Sequence, residues 1–211
     1  MFIDFMIHPA LIGLLLPVIW TVLLCDLCAE PFTLGSRTAE IPESGKVTYT
    51  ILRTEKNETS FLPPSGWKAE VDAKGGTITW TAPDYQSIIR LKISNRGEEQ
   101  TSKLRPEELR QAVTQEFPEA KITEEFPCFT SGASGLGVDC EHLAKNQFAM
   151  SSRVALVPIP SGLAQFNLTS PKDQFAKRQI DFSHFLNSFR SETANHNRPS
   201  LSSGSLERFS K

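Results

Sequence analysis

Two cysteines three residues apart, Cys25 and Cys28 in LLCDLCAE, have the spacing of a zinc clasp or a disulfide-exchange motif. Either chemistry needs thiolates in a folded, electropositive pocket. Here they sit beside Asp26 at the end of an uncharged apolar run, Ala10 to Cys25. That run is longer than many signal-peptide cores and shorter than a full membrane span. It reads as a targeting segment, so residues 1–29 are a cleaved signal peptide or a retained N-terminal anchor. Pro9 and Pro17 argue against a buried core helix. The motif therefore marks the edge of an export segment, not a working site.

The other two cysteines, Cys128 and Cys140, flank a Gly/Ser-rich stretch. Ile122, Phe126 and Cys128 share one parity, as do Leu136, Val138 and Cys140. With period-2 alternation both thiols face the apolar side of neighbouring antiparallel strands. In an oxidising compartment the expectation is a Cys128–Cys140 disulfide, contributing roughly 3 kcal/mol. Its register would set Phe126 opposite His142 and close Thr130–Gly137 as a presented loop. The alternative is a pair of buried free thiols.

Other reactive groups do not converge. His8 lies in the targeting segment and His196 in the tail. His142 follows the apolar parity of its strand and reads as packed, and His184 reads as a solvated helix residue. Asp139 and Glu141 share the opposite strand face, read as solvated, and cannot meet His142 from one strand. Ser134 in GASGL lacks the second glycine of a nucleophile elbow. No phosphate-binding or dinucleotide glycine motif is present. We expect no enzyme activity, no cofactor and no metal site. The sequons at Asn57 and Asn167 matter only in a eukaryotic secretory host.

The elements that position these residues follow from periodicity. The chain has 211 residues and a formal net charge of −2. That suits one domain with extensions and gives no electrostatic reason for nucleic-acid binding. Residues 30–45 read as a linker. Strands are expected at 46–53, in WKAEVDA, in TITWTA and in SIIRLKIS. Ile89, Leu91 and Ile93 point inward there, while Arg90 and Lys92 point outward. A helix over 105–118 carries Leu109, Ala112, Val113 and Phe117 on one face. Strands at 120–127, 136–144, 147–157 and 162–169 lead to a second helix over 170–189. Ser170, Pro171 and Asp173 would start it, and Phe175, Phe182, Phe185, Leu186 and Phe189 form its buried stripe. Residues 191–211 read as a disordered tail.

The order of these pieces resembles a known family. A Gly-Trp entry to a hairpin is followed by PEELRQAVTQEFPEAKI, four strands and SPKDQF…FLNSFR, with Ser170, Pro171, Ser188, Phe189 and Arg190 in the last motif. This is similar to the PsbP/Mog1-type domain of exported bacterial and photosynthetic lumenal proteins, over roughly residues 60–190. The resemblance implies an α+β fold over 46–190, with an antiparallel sheet flanked by helices in an α/β/α sandwich. It also implies a non-enzymatic binding or assembly role, with another envelope or membrane-associated protein as partner. Membrane contact would come only through an uncleaved N-terminal segment. A small-ligand carrier, or an enzyme with a pocket invisible in sequence, is the alternative.

Overall fold

The computed structural model describes residues 31–41, 45–95, 104–160 and 162–194. The N-terminal apolar run, Cys25, Cys28, His8, His196 and most of the expected tail lie outside them. Among the described residues there are eleven strands and two helices: β1 Thr33–Ile41, β2 Gly45–Arg53, β3 Asn57–Phe61, β4 Lys68–Asp72, β5 Thr77–Thr81, β6 Ile88–Asn95, α1 Pro106–Glu116, β7 Lys121–Phe129, β8 Ser134–Leu143, β9 Ala149–Ile159, β10 Gly162–Pro171, α2 Phe175–Ser188 and β11 Arg190–Thr193. All pairings between these strands are antiparallel.

The larger sheet has seven strands in the order β4-β5-β6-β10-β9-β8-β7. Alternation along its strands divides the core in two. Ala155 and Val157 of β9 join the cluster built on Phe166, Phe182, Phe185 and Phe189. Val154 and Leu156 join the cluster under Leu109 and Val113 of α1. Side chains one residue apart on a strand point to opposite faces, so α1 and α2 pack against opposite faces. Aromatic rings tie α2 and the residue before β11 to the sheet. Phe61 meets Trp80 edge-on at 5.8 Å and Phe185 at 5.4 Å. Phe166 meets Phe189 at 4.8 Å. Edge-to-face geometry suits the ring quadrupoles.

Three elements differ from the periodicity reading. First, the expected linker contains β1, which pairs along its whole length with β2. β3 pairs only with Thr50–Arg53 of β2. Second, the polar stretch around Asn57 is strand β3, inside a four-stranded sheet ordered β1-β2-β3-β11. Asn57 and Thr59 are buried there, so no apolar alternation announced it. Its last neighbour, β11, falls at the start of the expected tail and pairs Arg190 with Ser60.

Third, Ser170 and Pro171 do not start a helix. They finish β10, where Pro171 pairs with Met150. The Ser170 hydroxyl is spent on Ser87 at 2.9 Å. Proline is tolerated at a strand end because one lost ladder bond costs least there. The chain then turns, and α2 begins at Phe175 with no side-chain cap.

Candidate functional site

Among the described residues, α1 covers only the β8–β9 part of its face of the large sheet. Leu109 and Val113, spaced i to i+4, drop into β8 and β9. Across β5, β6 and β10 the same face is polar. The register aligns Thr77, Lys92 and Gln165 in one row and Thr79, Arg90 and Asn167 in the next. Neighbouring strands lie about 4.8 Å apart, so each row is a line of adjacent side chains on one face. Thr77, Arg90, Lys92, Gln165 and Asn167, with Gly75 and Glu116, line a groove of about 340 Å³.

Its charges are unequally committed. Glu116 sits at the last helical position of α1, where the dipole disfavours a carboxylate and no basic residue shares the turn. Arg90 pairs with it. Lys92 carries no ion pair or hydrogen bond among the described residues. Asn167 is only 5% exposed. Its Oδ1 accepts a bond from Gln165 Nε2 at 3.2 Å, while its own amide donors have no partner among the described residues. Thr77 donates to the Gly75 carbonyl at 3.0 Å. The groove thus presents one uncommitted ammonium beside the Asn167 amide.

The Cys128–Cys140 bridge does not form; both thiols are free and buried. Cys128 stands opposite Gly135, and Cys140 opposite Ile122. The short Thr130–Ala133 turn sets this register: Cys128 pairs with Gly135, whose parity on β8 is opposite to that of Leu136, Val138 and Cys140. Cys128 therefore joins the α2-side core and Cys140 the α1-side core. A β-bulge between Ile122 and Glu124 separately turns Ile122 to the other face from Phe126 and Cys128. Burial pushes both thiols up to about 11, which leaves them protonated and poorly nucleophilic at neutral pH.

Nor is the Gly/Ser stretch a long presented loop. Phe129 pairs with Ser134, so the connection is the four residues Thr130–Ala133. Thr130 Oγ1 accepts from the Ala133 amide at 3.1 Å, and the Ser131 amide donates to the Phe189 carbonyl at 3.0 Å. Ser134 is exposed at the start of β8.

His142 packs as expected. Its ring stacks on Phe117 at 4.4 Å, and Nε2 shares a 2.9 Å hydrogen bond with Ser152. Ser152 is fully buried and bonds Thr169 at 2.9 Å, so no substrate can reach its hydroxyl. Burial lowers the His142 pKa, favouring the neutral imidazole. His184 is exposed. Asp139 and Glu141 share a face, but only Glu141 is solvated, beside Lys172 at 2.8 Å. Asp139 is buried and takes both arms of Arg153 at 2.7 and 2.8 Å. Both sequon asparagines, Asn57 and Asn167, are buried in strands.

Sequence reasoning placed Arg90 and Lys92 on the wet face but missed Gln165 and Asn167. The signal was available, because Gln165, Asn167 and Thr169 alternate with Ala164, Phe166 and Leu168. It also missed Arg178, which is buried in α2, pairs with Asp84 and lies over the Trp67 ring at 5.5 Å. Among the described residues no cluster of three His, Cys, Asp or Glu could hold a metal ion. No helix among them is long and apolar enough to cross a membrane.

No protein-family model matches the sequence, and no curated protein matches it. Solved structures do. LpqN, involved in cell envelope biogenesis of Mycobacterium tuberculosis, is 13% identical, with 75% of this chain and 91% of that chain covered and a TM-score of 0.50. Cyanobacterial PsbP (CyanoP) from Synechocystis is 11% identical, with 75% and 92% covered and a TM-score of 0.45. A Bacteroides thetaiotaomicron protein is 13% identical over 66% of this chain, with a TM-score of 0.44. The chain spans 46% of that protein's length. The likeness to LpqN shows the fold, which is PsbP/Mog1-like and α+β, mostly antiparallel sheet with two helices.

Proposed function

We propose, from the premise of a PsbP/Mog1-like fold, that this chain is an exported, non-enzymatic binding or assembly module. It acts on another envelope or membrane-associated protein. The α/β/α sandwich belongs to the same reading, with α1 and α2 flanking the large sheet. The observation that carries it is the part of the α1 face that no described element covers. A flat array of threonine, amide and cationic side chains is held there by three paired strands. Small-ligand sites are mostly apolar and bury most of the ligand. This groove is open, and every residue that lines it except Gly75 carries a polar or charged group, which suits a side chain on another protein's surface. The Ser–His contact of Ser152 with His142 is buried away from it.

Export is supported by the uncharged run from Ala10 to Cys25. The envelope role of LpqN agrees with it. Two measurements test the reading together. The full chain is expressed in a Gram-negative host and fractionated. A photo-crosslinking residue is placed at Thr79, on the open face, and in a second variant at Lys177 on α2. Recovery outside the cytoplasm and a discrete crosslink from Thr79 but not Lys177 are expected. Full-length soluble protein in the cytoplasm alone refutes export. Equal or absent crosslinks from the two positions refute the binding face.

A further inference from the structure

Among the described residues four strand edges end the two sheets, and three of them discourage pairing with another chain. β7 carries Pro127, Lys121, Glu124 and Glu125, and a bulge after Ile122. β4 has only five residues, with Lys68, Glu70 and Asp72 alternating along it. β11 has four. Short length, charge, proline and bulges all oppose edge-to-edge association. β1 differs. It runs nine residues, Thr33–Ile41, in unbroken register with β2, and it contains no proline. Its two charges are matched inside the sheet, because Arg37 bonds Glu58 at 2.7 Å and Glu40 stands opposite Lys46. Gly35, Ser36, Thr38 and Ala39 keep the strand free of bulk.

The edge also belongs to an unfinished ribbon. β3 pairs with β2 only over Thr50–Arg53, so Arg37–Ile41 and Gly45–Tyr49 stand as two strands alone among the described residues. A two-stranded ribbon is marginal in water, and further strands stabilise it. A second copy of this chain brings the same open edge. Antiparallel pairing of β1 with itself closes about a two-fold axis, leaves β1 with no open edge and stops at a dimer. Directly opposed residues share a face, so the axis passes through a residue of β1 that meets itself. An axis at Arg37 sets like charges opposite each other, which is destabilising. An axis at Thr38 sets Arg37 opposite Ala39, and Ser36 opposite Glu40, of the second copy. It also extends the 3.1 Å Thr38–Thr48 hydroxyl contact into a row of four threonines. We propose that β1 is a homodimerisation edge, paired with its counterpart about Thr38.

The test uses the purified full chain in mild detergent, which keeps the apolar N-terminal run from associating, with Cys25→Ser and Cys28→Ser to remove those thiols. Analytical ultracentrifugation over a concentration series is expected to show a monomer–dimer equilibrium. Thr38→Lys sets two ammonium groups at the axis and should weaken the dimer about fivefold. Ile180→Lys adds the same charge at an exposed position of α2 and should leave it unchanged. Oxidation of Thr38→Cys with copper phenanthroline should give a peptide linked through position 38 of both copies. Thr48→Cys is equally exposed and on the same face, but lies three strand spacings, roughly 14 Å, from its counterpart and should not link. Thermal melts check that each variant folds. A monomer at every concentration, or a dimer that Thr38→Lys leaves intact, overturns the edge. So does loss of the dimer in Ile180→Lys, which would move the interface to α2. Self-linkage of Thr48→Cys without Thr38→Cys would move it to the open edge of β2. Each result leaves the Thr79 crosslink, on the large sheet, separately decided.

Discussion

Arg153 grips Asp139 through two parallel hydrogen bonds of 2.7 and 2.8 Å while its guanidinium lies 4.4 Å over the Phe126 ring. The contact links β9, β8 and β7 on the α2 face, and Gln179 of α2 adds a donor to Asp139 at 3.3 Å. A planar fork matches a carboxylate and stacks on an aromatic face as an ammonium cannot. Arg153→Met should therefore cost about 3 kcal/mol, mostly by stranding the buried Asp139 charge. Arg153→Lys should recover only part of it. Replacing both partners, Arg153→Met with Asp139→Leu, should cost less than Arg153→Met alone. Chemical denaturation of the four proteins checks the order. A double variant weaker than the single would show that the pair is not the source.

Stability should also depend on His142. Burial lowers its folded pKa below the unfolded value of about 6.5. The unfolded chain then binds more protons than the folded one between the two values. His142 thus contributes stability that is fully present above pH 6.5 and is lost as the pH falls toward the folded pKa. His142→Gln should flatten the slope of stability against pH below about pH 6.5. Glu58 and Asp84 act separately. Their pKa values are lowered, chiefly by the Arg53 hydrogen bond for Glu58 and the Gln86 amide for Asp84. Their contributions are lost at lower pH, in the carboxylate range. An unchanged slope in His142→Gln would remove His142 from the account.

Free thiols make a third prediction. With Cys128 and Cys140 facing different cores, no oxidant can join them without unfolding the sheet. Alkylation of the native full chain without reductant should leave both unmodified. Alkylation after denaturation, still without reductant, should label both. Peptide mass spectrometry reads each cysteine individually. A linked Cys128–Cys140 peptide would rule out the β7–β8 register that sets Cys128 opposite Gly135.

What the sequence disclosed depended on how local the cause was. In β5 and β6, Ile78, Trp80, Ile89, Leu91 and Ile93 alternate with polar residues, so strand, face and the outward Arg90 and Lys92 were all legible. Leu109 and Val113 marked α1 in the same way. Strand β3 was hidden because its buried residues Asn57 and Thr59 are polar, and the hydroxyl of Thr59 finds its partner, Ser191, far away in sequence. The bulge after Ile122 was hidden because one inserted residue leaves composition unchanged while inverting a face. The groove needed β10 to lie between β6 and β9, a long-range pairing that brings Asn167 opposite Arg90. No local pattern encodes that pairing.

Two glycines of the misread Gly/Ser stretch give the last prediction, because their clashes differ in kind. Gly137 stands directly opposite Phe126, and a Cβ there would come within 2.3 Å of the Phe126 ring. Gly135 stands opposite Cys128, and a Cβ there would come within 2.1 Å of the Leu156 backbone carbonyl. A side chain can move or be replaced, whereas a carbonyl held in the β8–β9 ladder cannot yield without breaking pairing. Gly137→Ala should cost about 1–3 kcal/mol, the usual range for overpacking. Combining it with Phe126→Leu should recover much of that, giving a favourable coupling in a double-mutant cycle. Gly135→Ala should cost more, and neither Phe126→Leu nor Cys128→Ala should rescue it. Urea denaturation of these variants decides the matter. Rescue of Gly135→Ala by Cys128→Ala would place the strain at the thiol, 3.0 Å away, and not at the carbonyl. Absence of coupling between Gly137 and Phe126 would mean that the ring does not lie over the glycine.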